Sequence, residues 1–111
     1  MKDHSVKCLV DVKIASEAII SFTHDSTFEE FAEDDRTRSA VDRKFEVIGE
    51  ALRRVRDEDP VTFEQIKLGH DIIGMRNRLI HGYDSVDEKI VWETIEIYLP
   101  KLLEEVGSLL K

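Results

Sequence analysis

Apolar side chains recur along most of this chain at steps of three and four, the spacing of an α-helix, and no run alternates convincingly at every second residue as a half-buried strand would. From Ser5 to about His24, one strip carries Val6, Leu9, Val10, Ile14, Ala18, Ile19 and Phe22, while Val12 and Ala15 add a second. Two strips predict a helix with two buried faces. Thr27 followed by Glu30 has the form of a capping box opening a short segment that carries Phe28 and Phe31. From about Arg36 to Glu58, Val41, Phe45, Ile48, Leu52 and Val55 recur at alternating steps of four and three, the seam of a bundle helix. Asp59-Pro60 ends that helix, because the residue before proline is pushed out of the helical region.

Thr62 with Gln65 offers a further capping pair, ahead of a helix that carries Ile72, Ile73, Met75, Leu79 and Ile80 and stops at Gly82. Ser85 with Glu88 is expected to cap the last helix, which buries Ile90, Val91, Ile95, Tyr98, Leu102, Val106 and Leu109 and is kinked or split at Pro100. The fold expected is all-α: an antiparallel four-helix bundle of up to five or six helical segments, with residues 1–111 forming a single domain. Neither repeats nor low-complexity tracts interrupt it.

Composition agrees with a packed domain. Of the 111 residues, 41% are hydrophobic and 36% charged, a globular profile with a heavily charged surface. No run approaches the roughly 18 apolar residues of a membrane span, and Met1-Lys2-Asp3-His4 begins no signal-peptide core, so a cytoplasmic protein with no membrane association is expected. Cys8 is the sole cysteine and reads as a helix-packing residue. His4, His24 and His70 lack companions at ligand spacing, so no metal site and no cofactor is expected. Trp92 reads as core or interface.

A net charge of −8 argues against a general nucleic-acid coater, since phosphate binding needs cations. The charge is unevenly spread, however. Between Arg36 and Arg56, seven cations face three acids (Asp42, Glu46 and Glu50), a local +4. Two readings stand side by side: a basic face in which Arg43 and Lys44 contact RNA, or a solvated helix face whose arginines pair with those acids at helical spacing.

The visible chemistry is concentrated in Arg76-Asn77-Arg78-Leu79-Ile80-His81-Gly82-Tyr83. A guanidinium is a permanent planar cation suited to phosphate oxygens, and an imidazole takes and gives a proton near neutral pH. Residues five apart lie about 140° apart around a regular helix, so Arg76 and His81 share a face only if the helix loosens, for which Gly82 is the natural place. Asn77 and His81, four apart, do share a face, and the amide is placed to orient the imidazole or contact phosphate. Taken singly, Arg76 reads as a surface ion-pair residue, His81 as a helix C-terminal residue and Tyr83 as a packing residue.

The chain resembles the HepT-like branch of the HEPN superfamily, toxins of prokaryotic toxin–antitoxin pairs. The resemblance rests on an ordered set: Phe28-Glu29-Glu30-Phe31, Asp35-Arg36-Thr37, Glu46-Val47-Ile48-Gly49-Glu50-Ala51, Gly74-Met75-Arg76-Asn77-Arg78-Leu79-Ile80-His81-Gly82-Tyr83 and Ile90-Val91-Trp92-Glu93-Thr94. It implies a metal-independent endoribonuclease of a type VII-like system, acting as a homodimer or higher assembly with motifs from two subunits at one cleft. Arg76 and His81 become the catalytic pair, Asn77 a supporting residue and Arg78 an RNA or acidic-partner contact. The resemblance also implies an MNT-type minimal nucleotidyltransferase antitoxin that silences the toxin by transferring AMP to the motif tyrosine, here Tyr83. The rival reading is a non-catalytic helical module that holds a nucleotide phosphate and positions substrate for a nucleotidyltransferase.

Overall fold

Where the chain turns from its second long helix toward the motif, Asp59 ties three segments together. Its carboxylate accepts hydrogen bonds from the Ser5 hydroxyl (2.7 Å), the Thr62 hydroxyl (2.8 Å) and the Lys2 backbone N–H (3.2 Å). These donors favour the ionised form and hold the acid well below the usual carboxylate range. A computed structural model of the chain describes residues 1–81 and 87–111, the side chains of Ile80 and His81 excepted. Helix α1 spans Asp3–Thr23, α2 Phe28–Glu33, α3 Asp35–Glu58, α4 Pro60–Phe63 and α5 Gly69–His81; α6, Glu88–Glu93, runs through a π-helical turn, Thr94–Tyr98, into α7, Leu99–Leu109.

Four columns result, formed by α1, α3, α5 and α6–α7. The start of α1 meets the end of α3 at Asp59, so these two are antiparallel. Helix α5 returns along α3, with Arg76 against Glu50, and α6–α7 runs back from Glu88, which lies 3.7 Å from Arg38 near the start of α3, to Glu105, which accepts the Lys67 N–H. The expected antiparallel four-helix bundle is the fold observed, and the described residues contain no strand.

The expected seam of α3 is fully buried at Val41, Phe45, Ile48, Leu52 and Val55, between Leu9, Val12 and Ile19 of α1 and Ile72 and Ile73 of α5. The Thr27–Glu30 box forms as expected, with both reciprocal bonds. Trp92 packs on Phe31 and Phe28, ring centroids 5.2 and 6.4 Å away, which fastens α2 to α6 as a core contact.

Four local expectations change. Thr62 does not cap a long helix: Asp59 caps the single turn Pro60–Phe63, where Thr62 is the third residue, and α5 begins only at Gly69. The last column is capped by Asp87, whose side chain accepts the Lys89 N–H, while Ser85 lies outside the described residues. Pro100 splits that column through its missing N–H. Helical bonding widens ahead of it, so that the Leu99 N–H donates to the Thr94 carbonyl five residues back. The wider turn carries one extra residue and rotates the buried face; Leu99 is buried and Tyr98, expected in the core, is exposed, as is Ile90. Finally, α1 buries only one of its two apolar faces, leaving Val6, Val10, Ile14 and Phe22 exposed.

Candidate functional site

A helix-interior glycine is costly unless packing requires it, and Gly49 lies in the middle of α3. There the α5 backbone approaches closely. A β-carbon at position 49 would overlap the Cβ and Cγ of Arg76, so the glycine is the notch through which the arginine stem passes. One residue on, Glu50 Oε2 accepts from Arg76 Nη2 at 3.2 Å, while Arg76 Nη1 donates to Asn77 Oδ1 at 3.0 Å. The Arg76 side chain is only 20% exposed, and its buried Nε has no partner among the described residues. The guanidinium is thus held from two sides through two of its five N–H donors, and of the three that remain the Nε–H is buried.

Glu50 is itself gripped from below by Arg53, whose Nη2 and Nε donate to it at 2.6 and 3.2 Å. That bidentate bond, then the nearby charges of Arg53, Arg76 and Arg54, holds the Glu50 carboxyl below its ordinary value despite some desolvation, and in return raises Arg53. Arg53 also donates to Asp57 at 3.0 Å, so Glu50 is fixed in place by a guanidinium that has a second carboxylate of its own.

Arg76 opens into a cleft of about 280 Å³ between α1, α3 and α5. Its charged lining is balanced: Arg43, Arg54 and Arg76 against Asp11, Glu46 and Glu50. The cleft is therefore not a basic surface. Cys8 also lines the cleft, where burial pushes its thiol up and favours the protonated form.

Among residues expected to touch RNA, Arg43 lines this cleft, mostly exposed and paired with Glu46 at 3.3 Å. Lys44 is half-buried and is not among the lining residues. The pairing of Arg43 with Glu46 and of Arg53 with Glu50, each three residues apart, follows the solvated-face reading of the basic stretch, while Arg56 pairs with its neighbour Asp57 instead. Arg78 faces elsewhere. Two residues past Arg76, and so about 200° around the helix, it lines a second cleft of about 380 Å³ with His70, Asp71 and Tyr98. Helix α5 stays α-helical through His81, so no loosening precedes that residue. The His81 side chain and all of Gly82 and Tyr83 lie outside the described residues. Glu50 and Gly49 were not singled out as site residues from the sequence; a glycine inside an amphipathic helix was the available signal for the second.

His4 pairs with Glu58 and His24 with Asp25, and His70 stands edge-on to Phe63. Among the described residues no group of three or more His, Cys, Asp or Glu side chains is arranged to hold a metal ion, and no helix is long and apolar enough to cross a membrane.

Comparison with known proteins identifies the family. A protein of Thermococcus cleftensis named probable ribonuclease HepT is 33% identical over 111 residues, the full length of both chains. MJ0125 of Methanocaldococcus jannaschii, by its name a candidate RNase, is 35% identical over 103 residues, covering 93% of this chain and 88% of its own. MJ1380 of the same organism, named in the same way, is 33% identical over 107 residues, covering 96% and 97%. No solved structure matches. The model of one family, ribonuclease HepT-like, matches residues 12–109, nearly the whole helical bundle that frames Arg76, and the chain belongs to that family.

Proposed function

We propose that this protein is a metal-independent endoribonuclease, the toxin of a type VII-like toxin–antitoxin pair, working as a homodimer in which the motifs of two subunits share one cleft. The observation that carries the reading is the preorganised Arg76, threaded past Gly49 and held by Glu50 with a buried N–H unused, in a chain of the ribonuclease HepT-like family. In the proposed reaction a ribose 2'-oxygen attacks the adjacent phosphorus as the 2'-proton passes to a base. The bond from phosphorus to the 5'-oxygen breaks, and an acid protonates the departing oxygen. The products are a 2',3'-cyclic phosphate and a 5'-hydroxyl end, and DNA, lacking the nucleophile, is not cut.

His81 is assigned the proton transfers and Arg76 the charge that develops on the phosphorane oxygens. One chain supplies one motif histidine, while cleavage needs both a base and an acid, which favours two subunits per cleft. Asn77 supports Arg76 through its side-chain oxygen. Arg43 and Lys44 are assigned weaker RNA contacts. Tyr83 is assigned as the acceptor of AMP from an MNT-type nucleotidyltransferase, and the chain is expected in the cytoplasm beside that partner.

The test is cleavage of labelled RNA in EDTA. Wild type cuts and leaves cyclic phosphate ends, whereas His81→Ala and Arg76→Ala do not. Equal cutting by wild type and His81→Ala would assign the activity to a contaminant and favour the non-catalytic nucleotide-positioning module. Mass spectrometry after incubation with ATP and the neighbouring nucleotidyltransferase is expected to show added AMP on wild type and none on Tyr83→Phe.

A further inference from the structure

The unburied face of α1 carries the strongest unexplained pattern in the molecule. Val6, Val10, Ile14, Ala18 and Phe22 follow one another at steps of four, forming a row symmetric in spacing about Ile14. Val6, Val10, Ile14 and Phe22 are 37, 38, 59 and 42% exposed, so exposure peaks at the centre of the row. Rows at steps of four are the ridges that interdigitate when two helices cross at roughly −50°. Large apolar side chains at four of five positions spaced by four, with Ala18 at the fifth, are not what an unpartnered surface helix presents.

We infer that this row is a two-fold interface at which α1 of a second copy of this chain packs antiparallel, with Ile14 on the axis. An isologous contact needs a self-complementary surface, and reversing this row about Ile14 returns it onto itself: Val6 faces Phe22, Val10 faces Ala18, and Ile14 faces Ile14. The charges agree with that pairing. Lys13 and Glu17 flank the row on one side, exposed and making no ion pair among the described residues. At 1.5 Å per residue, the reversal brings Lys13 of one copy to within about 3 Å along the axis of Glu17 of the other. Two such pairs form, one on each side of the axis.

The pairing also bears on the active site, and in this it rests on the homodimer of the proposed function. Cys8 and Asp11 of α1 wall the Arg76 cleft, on the flank of the row opposite Lys13 and Glu17. A two-fold perpendicular to both helices keeps like flanks on the same side, so both Arg76 clefts open on one surface of the dimer. Their Asp11 residues stand about 9 Å apart along the helix direction, six residue heights.

Full-length Ile14→Cys is expected to form an interchain disulfide under mild oxidation and become the major species on a non-reducing gel. Buried Cys8 should leave wild type uncross-linked, and Ile97→Cys, exposed on another column, serves as the off-face control. By light scattering, Ile14→Lys is expected to halve the assembled mass while its circular dichroism stays helical. A wild type that remains at 12.8 kDa at every concentration, an unchanged mass for Ile14→Lys, or cross-linking no faster at position 14 than at position 97 overturns the inference. RNA cleavage run in parallel separates the two readings. An active wild type whose mass ignores Ile14→Lys keeps the ribonuclease and loses this interface; an inactive wild type that cross-links through position 14 does the reverse.

Discussion

Two arginines stand two residues apart on α5, and their surroundings differ in kind. Arg76 faces α3, where Gly49 admits its stem, Glu50 and Asn77 hold its head, and burial removes most of the competing water. Arg78 faces the opposite cleft, exposed to solvent beside His70, Asp71, Tyr98 and the apolar wall of Ile72 and Met75. The side chains have identical charge and reach. What separates them is preorganisation, because a donor fixed before the reaction stabilises developing charge without reorganising, whereas a mobile exposed cation is screened and must first be ordered.

The largest effect that would break this contrast is at Arg76 itself. Arg76→Ala is expected to lower kcat by about 10²-fold or more, the cost of losing one aimed donor. Arg76→Lys should recover little of it, because a point-like ammonium reproduces neither the fork nor the grip of Glu50 and Asn77 together. Single-turnover cleavage of labelled RNA measures both, and an Arg78→Ala loss as large as that of Arg76→Ala would overturn the distinction.

Next in size is the pair of glycines on the two sides. Gly49→Ala drives a methyl group into the Arg76 stem and is expected to cost about 1–3 kcal/mol of stability together with a clear loss of activity. Gly74→Ala, in the Arg78 cleft, meets nothing within 4 Å and removes a helix-interior glycine, so it should stabilise by about 0.5–1 kcal/mol. Urea unfolding of both variants checks the sign of each change.

A smaller effect is expected at Glu50, which holds Arg76 from α3. Glu50→Gln keeps the shape and removes the charge, so kcat should fall about tenfold with KM little changed. The pH dependence has a definite sign. The folded-state pKa of Glu50 is lowered, so its contribution is present above the ordinary carboxylate value of about 4 and is lost as pH falls through the folded value. Wild type should therefore lose Arg76 alignment at the acid end, and Glu50→Gln should flatten that limb of the kcat profile; an unaltered limb would remove Glu50 from this role. The smallest change is expected from Arg78→Ala, a rise in KM of a few-fold that shrinks with added salt, as for an exposed phosphate contact.

Local signals were legible where one short segment contained the whole cause. The α3 seam needed only its own period, and the Thr27–Glu30 box only its own four residues. The reading of Thr62 failed because Asp59, already positioned by Pro60 and bonded to Ser5 more than fifty residues earlier, competes for the same turn. The face of the last column was misjudged by one residue. Pro100 was recognised as an interruption, but whether a helix kinks, breaks or widens depends on what Thr94, Ile95 and Leu99 pack against.

The site divides in the same way. Residue chemistry and an ordered set of motifs pointed to Arg76, Asn77 and His81 as a phosphate-handling group, with Tyr83 beside them. Glu50 and Gly49 stand 26 and 27 residues from Arg76, and their bearing on it exists only once α3 and α5 are antiparallel and in register.

By itself, then, the amino-acid sequence determined an all-α bundle, the capped entry to α2 and the buried seam of α3, and it singled out the octapeptide that carries the proposed chemistry, because each depends on periodicity, local hydrogen bonding or intrinsic side-chain chemistry. Tertiary structure alone decided which arginine is held by α3 and which faces the opposite cleft, which face of α1 is covered, and where the last column widens. Those are outcomes of competition between distant segments for the same space and the same hydrogen-bond partners, and no single segment contains them.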